Sequence, residues 1–386
     1  MEIRKMKTSE IDQVMELGQF AFQLEMNSEE LEERKKFINP ENVWVAAGED
    51  EIYSKLTILP MEVYIGPHKL SAGGVSGVAT WPEKRRNGLV SQLLAASLKD
   101  MKDRGHILSF LYPFSIPFYR KYGWELSADT KKWTIPKEKL PIPDGKSTGT
   151  IKRLAKEDWK ELNTIYQSFA QHYAGAIERT EDWWKQFVFK RKKGQIAVFT
   201  NSEGKDEGYL IYQVKERTLT VHEFVHTTNE SREGLWNFLA NHDSMIDEMV
   251  MKAAIDDPSR LLLVNPHIKE ERESYFMGRI VDVFSLLQTY PFIKKGAAVI
   301  HVTDNFCSWN DGSFKVEVHD PGENLVRRVE QGKGVACTIN TLSSVLMGYT
   351  SVEDAVNAGL LTGDEAEIRG FKAMLPPLTP FLYDFF

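Results

Sequence analysis

The residues best suited to chemistry in this chain are two arginines and a glycine that stand just before a predicted helix. Arg85, Arg86 and Gly88 lie in P-E-K-R-R-N-G-L-V, between an alternating apolar strand and the helical spacing that begins at Leu89. Amides in the first turn of a helix have no intrahelical partner, and the helix dipole adds roughly half a positive charge there. Glycine admits an anion to the backbone, and arginine adds charge-assisted donors. The loop is therefore typical of an anion site, to which a pyrophosphate could bind, although a solvated basic turn would have the same composition.

A second motif, H-E-F-V-H from His222 to His226, has the residue spacing of a zinc protease. That chemistry requires a helix, on which two histidines four residues apart share one face. Here T-L-T-V-H-E-F-V-H alternates as a strand, which would separate the two imidazoles by about 13 Å, so we expect no metal site. Cys307 and Cys337 stand in apolar strand patterns and are expected to be core thiols rather than nucleophiles.

The elements that must position the arginine loop form an α/β pattern. Apolar residues at helical spacing predict a helix over 89–102, and apolar or alternating runs predict strands over 43–47, 52–59, 61–65, 73–80 and 107–112. The same order occurs twice, because the stretch from Ile3 is similar to the one from Ile151, and the stretch from Thr80 to the one from His226. Two matches at nearly one spacing predict a duplicated unit.

Two breaks divide the chain into three predicted domains. Residues 136–149 combine prolines, glycines and charges, which is typical of a linker. After Tyr290, A-A-V-I-H-V-T opens a new alternating strand, and no third copy of the duplicated unit follows. We place the domains at 1–145, 146–288 and 289–386.

Composition and charge exclude several classes of function. The chain has 386 residues, of which 48 are basic and 55 acidic, so its net charge of −7 provides no global basic field for nucleic acid. Two cysteines are too few for a disulfide framework. The start M-E-I-R-K-M-K-T-S-E has no apolar signal segment, and no stretch favours a membrane span, so we expect a cytoplasmic protein.

The chain end L-T-P-F-L-Y-D-F-F is apolar, whereas free termini are normally polar and loose. We therefore expect this end to be held against the rest of the protein. An alternative is that Phe381, Phe385 and Phe386 do no more than complete a core, since aromatic side chains are usually buried.

The strand, loop and helix around Arg85 resemble the acyl-CoA pyrophosphate loop of GNAT N-acetyltransferases, which carry R-x-x-G-x-G/A between strand and helix. Val90 replaces the final small residue of that pattern. The order of a GNAT unit, a degenerate copy and a final domain resembles the Eis-like (enhanced intracellular survival) acetyltransferases over essentially the whole chain. The resemblance implies an α/β (α+β) fold with two tandem GNAT-type mixed-sheet domains, followed by a sterol-carrier-protein-like α+β domain.

The resemblance also implies a co-substrate, acetyl-CoA, and two catalytic groups. Tyr119 would be the general acid that protonates the CoA thiolate, and the terminal carboxylate of Phe386 would be the general base. The nearby Tyr122 is treated as structural. The residues implied to bind the coenzyme are Val78 and Thr80 on the strand, Arg85, Arg86, Gly88 and Leu89 in the loop, and Ser115.

The implied acceptor is the primary amine of a small cation, aminoglycoside-like or polyamine-like, bound near Phe20, Phe22 and Glu25. The acidic net charge favours such cations. The implied assembly is a homo-oligomer, a hexamer, with no nucleic-acid, membrane or metal partner. The second copy has Ser231 and Glu233 where the first has Arg85 and Asn87, so we expect that copy to bind no CoA.

Two other functions stay open. A non-catalytic acyl-CoA sensor or lipid-binding carrier could be built on the same fold, but it would have no need of Tyr119 or of a free terminal carboxylate. A protein-lysine acetyltransferase would use the same catalytic groups, and the sequence does not separate it from an enzyme for small amines.

Overall fold

A computed structural model of the protein describes residues 1–141, 149–330 and 332–386. The predicted linker at 136–149 therefore lies in part outside the described residues. Within the described ranges, every helix is too short or too polar to span a bilayer.

The first unit carries the arginine loop. Its strands are β1 (Glu2–Lys5), β2 (Val43–Ala47), β3 (Ile52–Ile65), β4 (His68–Thr80), β5 (Leu108–Leu111) and β6 (Glu125–Pro136). Its helices are α1 (Ile11–Phe22), α2 (Ser28–Lys35), α3 (Leu89–Asp103) and α4 (Ile116–Arg120).

The second unit repeats this arrangement. Its strands are β7 (Thr150–Leu154), β8 (Tyr173–Ala174), β9 (Gln195–Thr200), β10 (Asp206–Lys215), β11 (Thr218–His226), β12 (Glu248–Ala253) and β13 (Lys269–Ile280). Its helices are α5 (Trp159–Ala170), α6 (Glu181–Trp183) and α7 (Asn229–Ala240), and α8 (Val283–Thr289) leads into the third unit.

The third unit is a smaller sheet with helices. Its strands are β14 (Gly296–Thr303), β15 (Gly312–Asp320), β16 (Glu323–Val329), β17 (Val335–Thr338), β18 (Leu361–Gly363) and β19 (Thr379–Pro380). Its helices are α9 (Ile339–Leu346), α10 (Val352–Asn357) and α11 (Glu365–Met374). Five strands pair in the order β16-β15-β14-β17-β18, while β19 leaves this sheet and pairs with β8 of the second unit.

The first two units share one twelve-stranded sheet, in the order β1-β2-β3-β4-β5-β13-β6-β12-β11-β10-β9-β7. Strand β13 of the second unit lies between β5 and β6 of the first, and β6 in turn pairs with β12. Each unit therefore completes the other's sheet, and strand β5 of the first unit is paired with a strand from the second.

The sheet opens between β4 and β5. Their parallel pairing covers only Ala72, Gly73 and Gly74 against residues 108–110, whereas β4 continues to Thr80. From Val75 onward, β4 has no partner on its β5 side among the described residues. A parallel pair that separates in this way leaves a free backbone edge inside the sheet, with unpaired amide and carbonyl groups.

Consecutive residues of β4 mark the two faces of the sheet at this opening. A side chain on Gly73 would meet Met101 of α3 and Ile58, whereas one on Gly74 would meet Met61 and the ring of Phe386. The α3 face and the C-terminal face are therefore filled by different clusters on either side of one strand.

Most elements follow the local patterns, and the departures have a physical reason. The predicted strands at 52–59 and 61–65 form one strand, β3, which passes through Pro60. Pairing with β2 ends at Thr57, so Pro60 lies where β3 has a free edge and a missing amide is tolerated. Strand β4 begins at His68, earlier than predicted, and helix α3 ends one residue later.

Candidate active site

The arginine loop is an exposed turn at the start of α3. Arg86 and Gly88 both adopt left-handed backbone conformations, with φ of 65° and 72°. No described atom lies within 4 Å of the position that a Cβ on Gly88 would take. The Nε group of Arg85 donates a hydrogen bond of 3.2 Å to the carbonyl of Thr80, which fixes the loop against the end of β4. The first-turn amides and the two arginines thus face open space, as an anion site requires.

The free edge of β4 leads from the sheet opening to this loop. Gly77 has a φ of 59° and lies at a register shift between β3 and β4, so the strand bulges there. Val78 follows the bulge. Thr80 is buried, its hydroxyl lies 2.7 Å from that of Ser54, and its carbonyl already accepts from Arg85. Of the two predicted strand residues, Thr80 therefore supports the loop, while Val78 lies on the unpaired edge.

Tyr119 lies in α4, soon after β5, and is only 3% exposed. It is packed by aromatic rings on the α3 face, with ring centroids of Phe118 at 5.2 Å and Phe114 at 5.4 Å. Burial raises the pKa of the Tyr119 hydroxyl above its ordinary value, so the group is protonated at neutral pH. No described residue shares a hydrogen bond with this hydroxyl. Ser115 stands immediately before α4, and its side chain does not cap the helix.

The last residue, Phe386, lies at the sheet opening on the face opposite α3. A Cβ on Gly74 would be 2.6 Å from its ring, and the rings of Phe276 and Trp183 are 5.0 and 5.8 Å away. Its ring is buried, whereas the neighbouring Phe385 is partly exposed. The chain end is thus a packed aromatic at the point where β4 and β5 separate.

Comparison with known proteins gives a family match within each of the three units. Profiles described as acetyltransferase (GNAT) domain match residues 2–127 and 175–280, and one described as sterol carrier protein domain matches 283–383. N-acetyltransferase Eis of Mycobacterium tuberculosis is 23% identical over 81% of both chains. A probable N-acyltransferase of Enterococcus faecalis has a solved structure that matches all of this chain and 99% of its own, at 26% identity and a TM-score of 0.93. The structure of Eis1 from Mycobacterium abscessus covers both chains in full, with 20% identity and a TM-score of 0.83.

This chain is an Eis-like GNAT acetyltransferase. Its two GNAT domains and its C-terminal sterol-carrier-protein-like domain confirm the predicted fold class, and the second GNAT domain confirms the predicted duplication.

The C-terminal tail of this acetyltransferase is held in the second GNAT domain, as expected from its apolar sequence. Asp384 accepts hydrogen bonds from Arg179 Nε at 3.0 Å and from Trp183 Nε1 at 2.8 Å. Arg179 also donates to Glu223 at 2.6 Å, and all three charged groups are fully buried. Burial alone would raise the pKa of Glu223, but Arg179 and Lys192 lower it to about 2. The tail is therefore fixed by a buried ion cluster two residues before the chain end.

Sequence reasoning missed Lys55, which lies on β3 opposite Ala79 and is only 8% exposed. A Cβ on Gly18 of α1 would lie 3.0 Å from its Nζ atom, and one on Gly77 would lie 3.8 Å from it. Burial, with a smaller contribution from Arg34, lowers the pKa of Lys55 to about 8. No described residue forms an ion pair with it. Nothing in the sequence indicates that this lysine is buried, because a lysine in an alternating strand normally faces water.

The predicted acceptor residues lie at and beyond the end of α1. Phe20 and Phe22 are 52% and 48% exposed, and Phe20 packs against Trp81 with ring centroids 4.8 Å apart and the ring planes inclined by 43°. Glu25 is exposed in the segment that follows. Trp81 comes directly after β4, so Phe20 lies near the end of the free strand edge. Their role in binding an acceptor stays a prediction.

The second GNAT domain lacks an equivalent of the arginine loop. Only two residues connect β11 to α7, against eight between β4 and α3. Ser231 is buried in the first turn of α7, where its amide donates to the Thr228 hydroxyl at 3.1 Å. This helix start is capped by the Thr228 and Ser231 side chains, whereas no described side chain caps the start of α3.

The remaining motifs have structural explanations. His222 and His226 lie on strand β11, as predicted, and the described residues contain no cluster that could hold a metal ion. Both cysteines are buried, and burial raises the pKa of Cys307 to about 11 and that of Cys337 to about 12. Tyr122 packs on Phe306 of the third unit, in keeping with the structural role expected for it.

Proposed function

We propose that this acetyltransferase transfers an acetyl group from acetyl-CoA to a primary amine by direct attack of the amine on the thioester. The observation that carries the proposal is the opening between β4 and β5. The arginine loop lies at the end of its free edge, Tyr119 packs on the α3 face, and Phe386 lies on the opposite face. Acetyl-CoA bound on one face of the sheet would therefore meet an amine that enters from the other face.

The coenzyme is bound by main-chain groups and by two arginines. Arg85, Arg86 and the amides around Gly88 and Leu89 bind the diphosphate, since they combine positive charge with unpaired donors. The free edge of β4, including Val78, pairs with the amide groups of the pantetheine arm. We assign Ser115, immediately before α4, to the same coenzyme site.

The transfer then needs one acid and one base. The amine nitrogen attacks the thioester carbon, so that a C–N bond forms and the C–S bond breaks with its electron pair on sulfur. The α-carboxylate of Phe386 takes the proton that the amine loses, and Tyr119 gives its hydroxyl proton to the sulfur. Burial keeps Tyr119 protonated until that step. No covalent enzyme intermediate is required.

The acid is tested by Tyr119→Phe, with Tyr122→Phe as the matched control in the same aromatic segment. CoA release is measured with a thiol reagent during turnover of a competent amine. We expect Tyr119→Phe to lower kcat by about 100- to 10,000-fold, and Tyr122→Phe to leave it within about threefold. Equal turnover by wild type and Tyr119→Phe would remove the tyrosine from the mechanism.

The base is tested by adding one glycine after Phe386, which moves the terminal carboxylate away. We expect turnover to fall by at least about 100-fold while calorimetry shows unchanged affinity for CoA. An acyl-CoA sensor or lipid carrier would be indifferent to this change. The implied hexamer stays a prediction that light scattering in solution can check.

A further inference from the structure

A basic cleft lies beside the C-terminal tail. It has a volume of about 710 Å³, and its walls include Tyr112, Arg191, Lys252, Glu273, Tyr275 and Phe385. A smaller cavity of about 190 Å³ adjoins it, because the two share four of these side chains. The smaller cavity adds Lys132, Lys192 and His222 to the lining.

The basic cleft begins next to the proposed reaction centre. Tyr112 is the first residue after β5, and its ring centroid lies 4.8 Å from that of Phe385. Phe385 directly precedes Phe386, whose ring covers Gly74 at the sheet opening. An acceptor whose amine reaches the thioester beside Phe386 can therefore extend into this cleft.

Two cations in the cleft are not engaged in ion pairs. Arg191 and Lys252 form no ion pair with a described residue, and both rest on aromatic rings instead. The Arg191 guanidinium lies 4.7 Å from the centre of the Phe385 ring, and Lys252 Nζ lies 4.3 Å from that of Tyr275. Burial lowers the pKa of Lys252. The carboxylate of Glu273 offsets only part of this shift, and the positive charges of Lys192 and Lys132 lower the pKa further. Ring contacts of this kind leave the donors free for an anion.

An orphaned imidazole nitrogen supports the same conclusion. Nε2 of His222 is buried in the lining of the smaller cavity and has no hydrogen-bond partner among the described residues. The lining of the two cavities carries four basic side chains and one carboxylate, Glu273, and of the four only Lys192 is paired, with Glu223. The local charge is thus positive, although the whole chain is acidic.

We propose that the acceptor carries an anionic group, a carboxylate or a phosphate, in addition to its amine, and that Arg191 and Lys252 bind this group. The inference rests on the proposed amine acetylation and names its substrate class. It replaces the aminoglycoside-like or polyamine-like cation that the family resemblance implied and that the net charge favoured, because a second positive charge in this cleft would be repelled by the unpaired cations.

Four amines of similar length test the substrate class: pentylamine, 5-aminopentanoate, 3-aminopropyl phosphate and 1,5-diaminopentane. We expect kcat/KM to be about 10- to 100-fold higher for an anionic amine than for pentylamine, since charge-assisted hydrogen bonds give discrimination of that size. The comparison of carboxylate with phosphate decides between those two groups. 1,5-Diaminopentane should be the poorest acceptor. A kcat/KM for pentylamine or the diamine equal to or above that of both anionic amines would overturn the inference.

Single substitutions locate the anion site. Arg191→Met and Lys252→Met should each lower kcat/KM for the preferred anionic amine about tenfold or more through KM, and should leave pentylamine unchanged. Lys193→Met, at an exposed neighbour outside both cavities, is the control. An effect of the two cleft variants on pentylamine as large as on the anionic amine would refute the assignment.

Binding separates failure of this inference from failure of the proposed function. Calorimetric titration of the CoA-loaded enzyme with 3-aminopropyl phosphate needs no turnover. Binding by wild type that Arg191→Met abolishes would support the anion site even if none of the four amines were acetylated, an outcome that counts against the proposed function only. Absence of binding by wild type, with no preference for anionic amines in turnover, would overturn the inference alone.

Discussion

Replacing the buried Lys55 by methionine should stabilise the protein at neutral pH, although it removes a charge near the bulge of β4 at Gly77. The folded state holds the pKa of Lys55 at about 8, against an ordinary value of 10.5, because the ammonium is buried without an ion pair. One pKa unit corresponds to about 1.4 kcal/mol, so the charged lysine destabilises the folded state by about 3 kcal/mol at pH 7. Methionine has a similar length and needs no hydration.

The sign of the pH dependence follows from the direction of this shift. The folded pKa lies below the unfolded one, so the penalty is complete below pH 8 and is lost as the pH rises from 8 towards 10.5. We expect the advantage of Lys55→Met to fall from about 3 kcal/mol at pH 7 to about 1 kcal/mol at pH 10. Any gain from the apolar methyl group adds a constant at every pH.

The assay is urea unfolding followed by tryptophan fluorescence at pH 7, 8.5 and 10, on wild type and on Lys55→Met. Lys36→Met, at an exposed lysine after α2, is the matched control and should change the free energy of unfolding by less than about 0.5 kcal/mol throughout. A stabilisation by Lys55→Met that is the same at all three pH values would refute the argument. So would a loss of stability at pH 7, because it would mean that the ammonium is well solvated.

Three further predictions concern the loop and the tail. Arg85→Ala and Arg86→Ala should each raise the KM for acetyl-CoA by about 10-fold or more with little change in kcat, as measured by initial rates, because each removes a charge-assisted donor to the diphosphate. Asp384→Asn leaves Arg179 with one anionic partner fewer in a buried site, so we expect a loss of about 3–5 kcal/mol in unfolding free energy, and unchanged stability would show that the cluster does not hold the tail. Glu223 has a pKa of about 2 in the folded state against an ordinary 4.5, so it contributes stability above pH 4.5 that is lost as the pH falls from 4.5 to 2. In acid unfolding, the free energy of unfolding of Glu223→Gln should therefore lack the decrease over this pH range that wild type shows.

The elements around the loop could be predicted from sequence because their determinants are local. Helix α3 has apolar residues at helical spacing, and its start is set by Gly88 with a left-handed φ of 72°. The chemistry of the loop follows from the residues next to that helix start, which are consecutive in the chain. Patterns of this kind need no knowledge of distant contacts.

The shared sheet and the acceptor side could not be predicted, because their determinants are far apart in sequence. Strand β13 lies between β5 and β6, yet nothing in its alternation specifies which strand it pairs with. Arg179 and Asp384 are separated by 205 residues, and their contact fixes the tail. Lys55 and Arg191 stand in ordinary surface patterns, so only the fold shows that one is buried and that the other lacks a partner.

The net charge of a chain does not determine which ligand charge a binding site attracts, and the acceptor class proposed here is an example. At physiological ionic strength the field of an exposed charge decays over about 8 Å, so acidic residues spread over the surface contribute little inside a cleft. The charges that line the cleft are those of Arg191 and Lys252, which rest on aromatic rings and form no ion pair with a described residue, and that of one carboxylate, Glu273. An amine with a carboxylate or phosphate would supply the missing negative charge, while its amine reaches the sheet opening beside Phe386. The local balance, rather than the total of −7, therefore decides which acceptor is attracted.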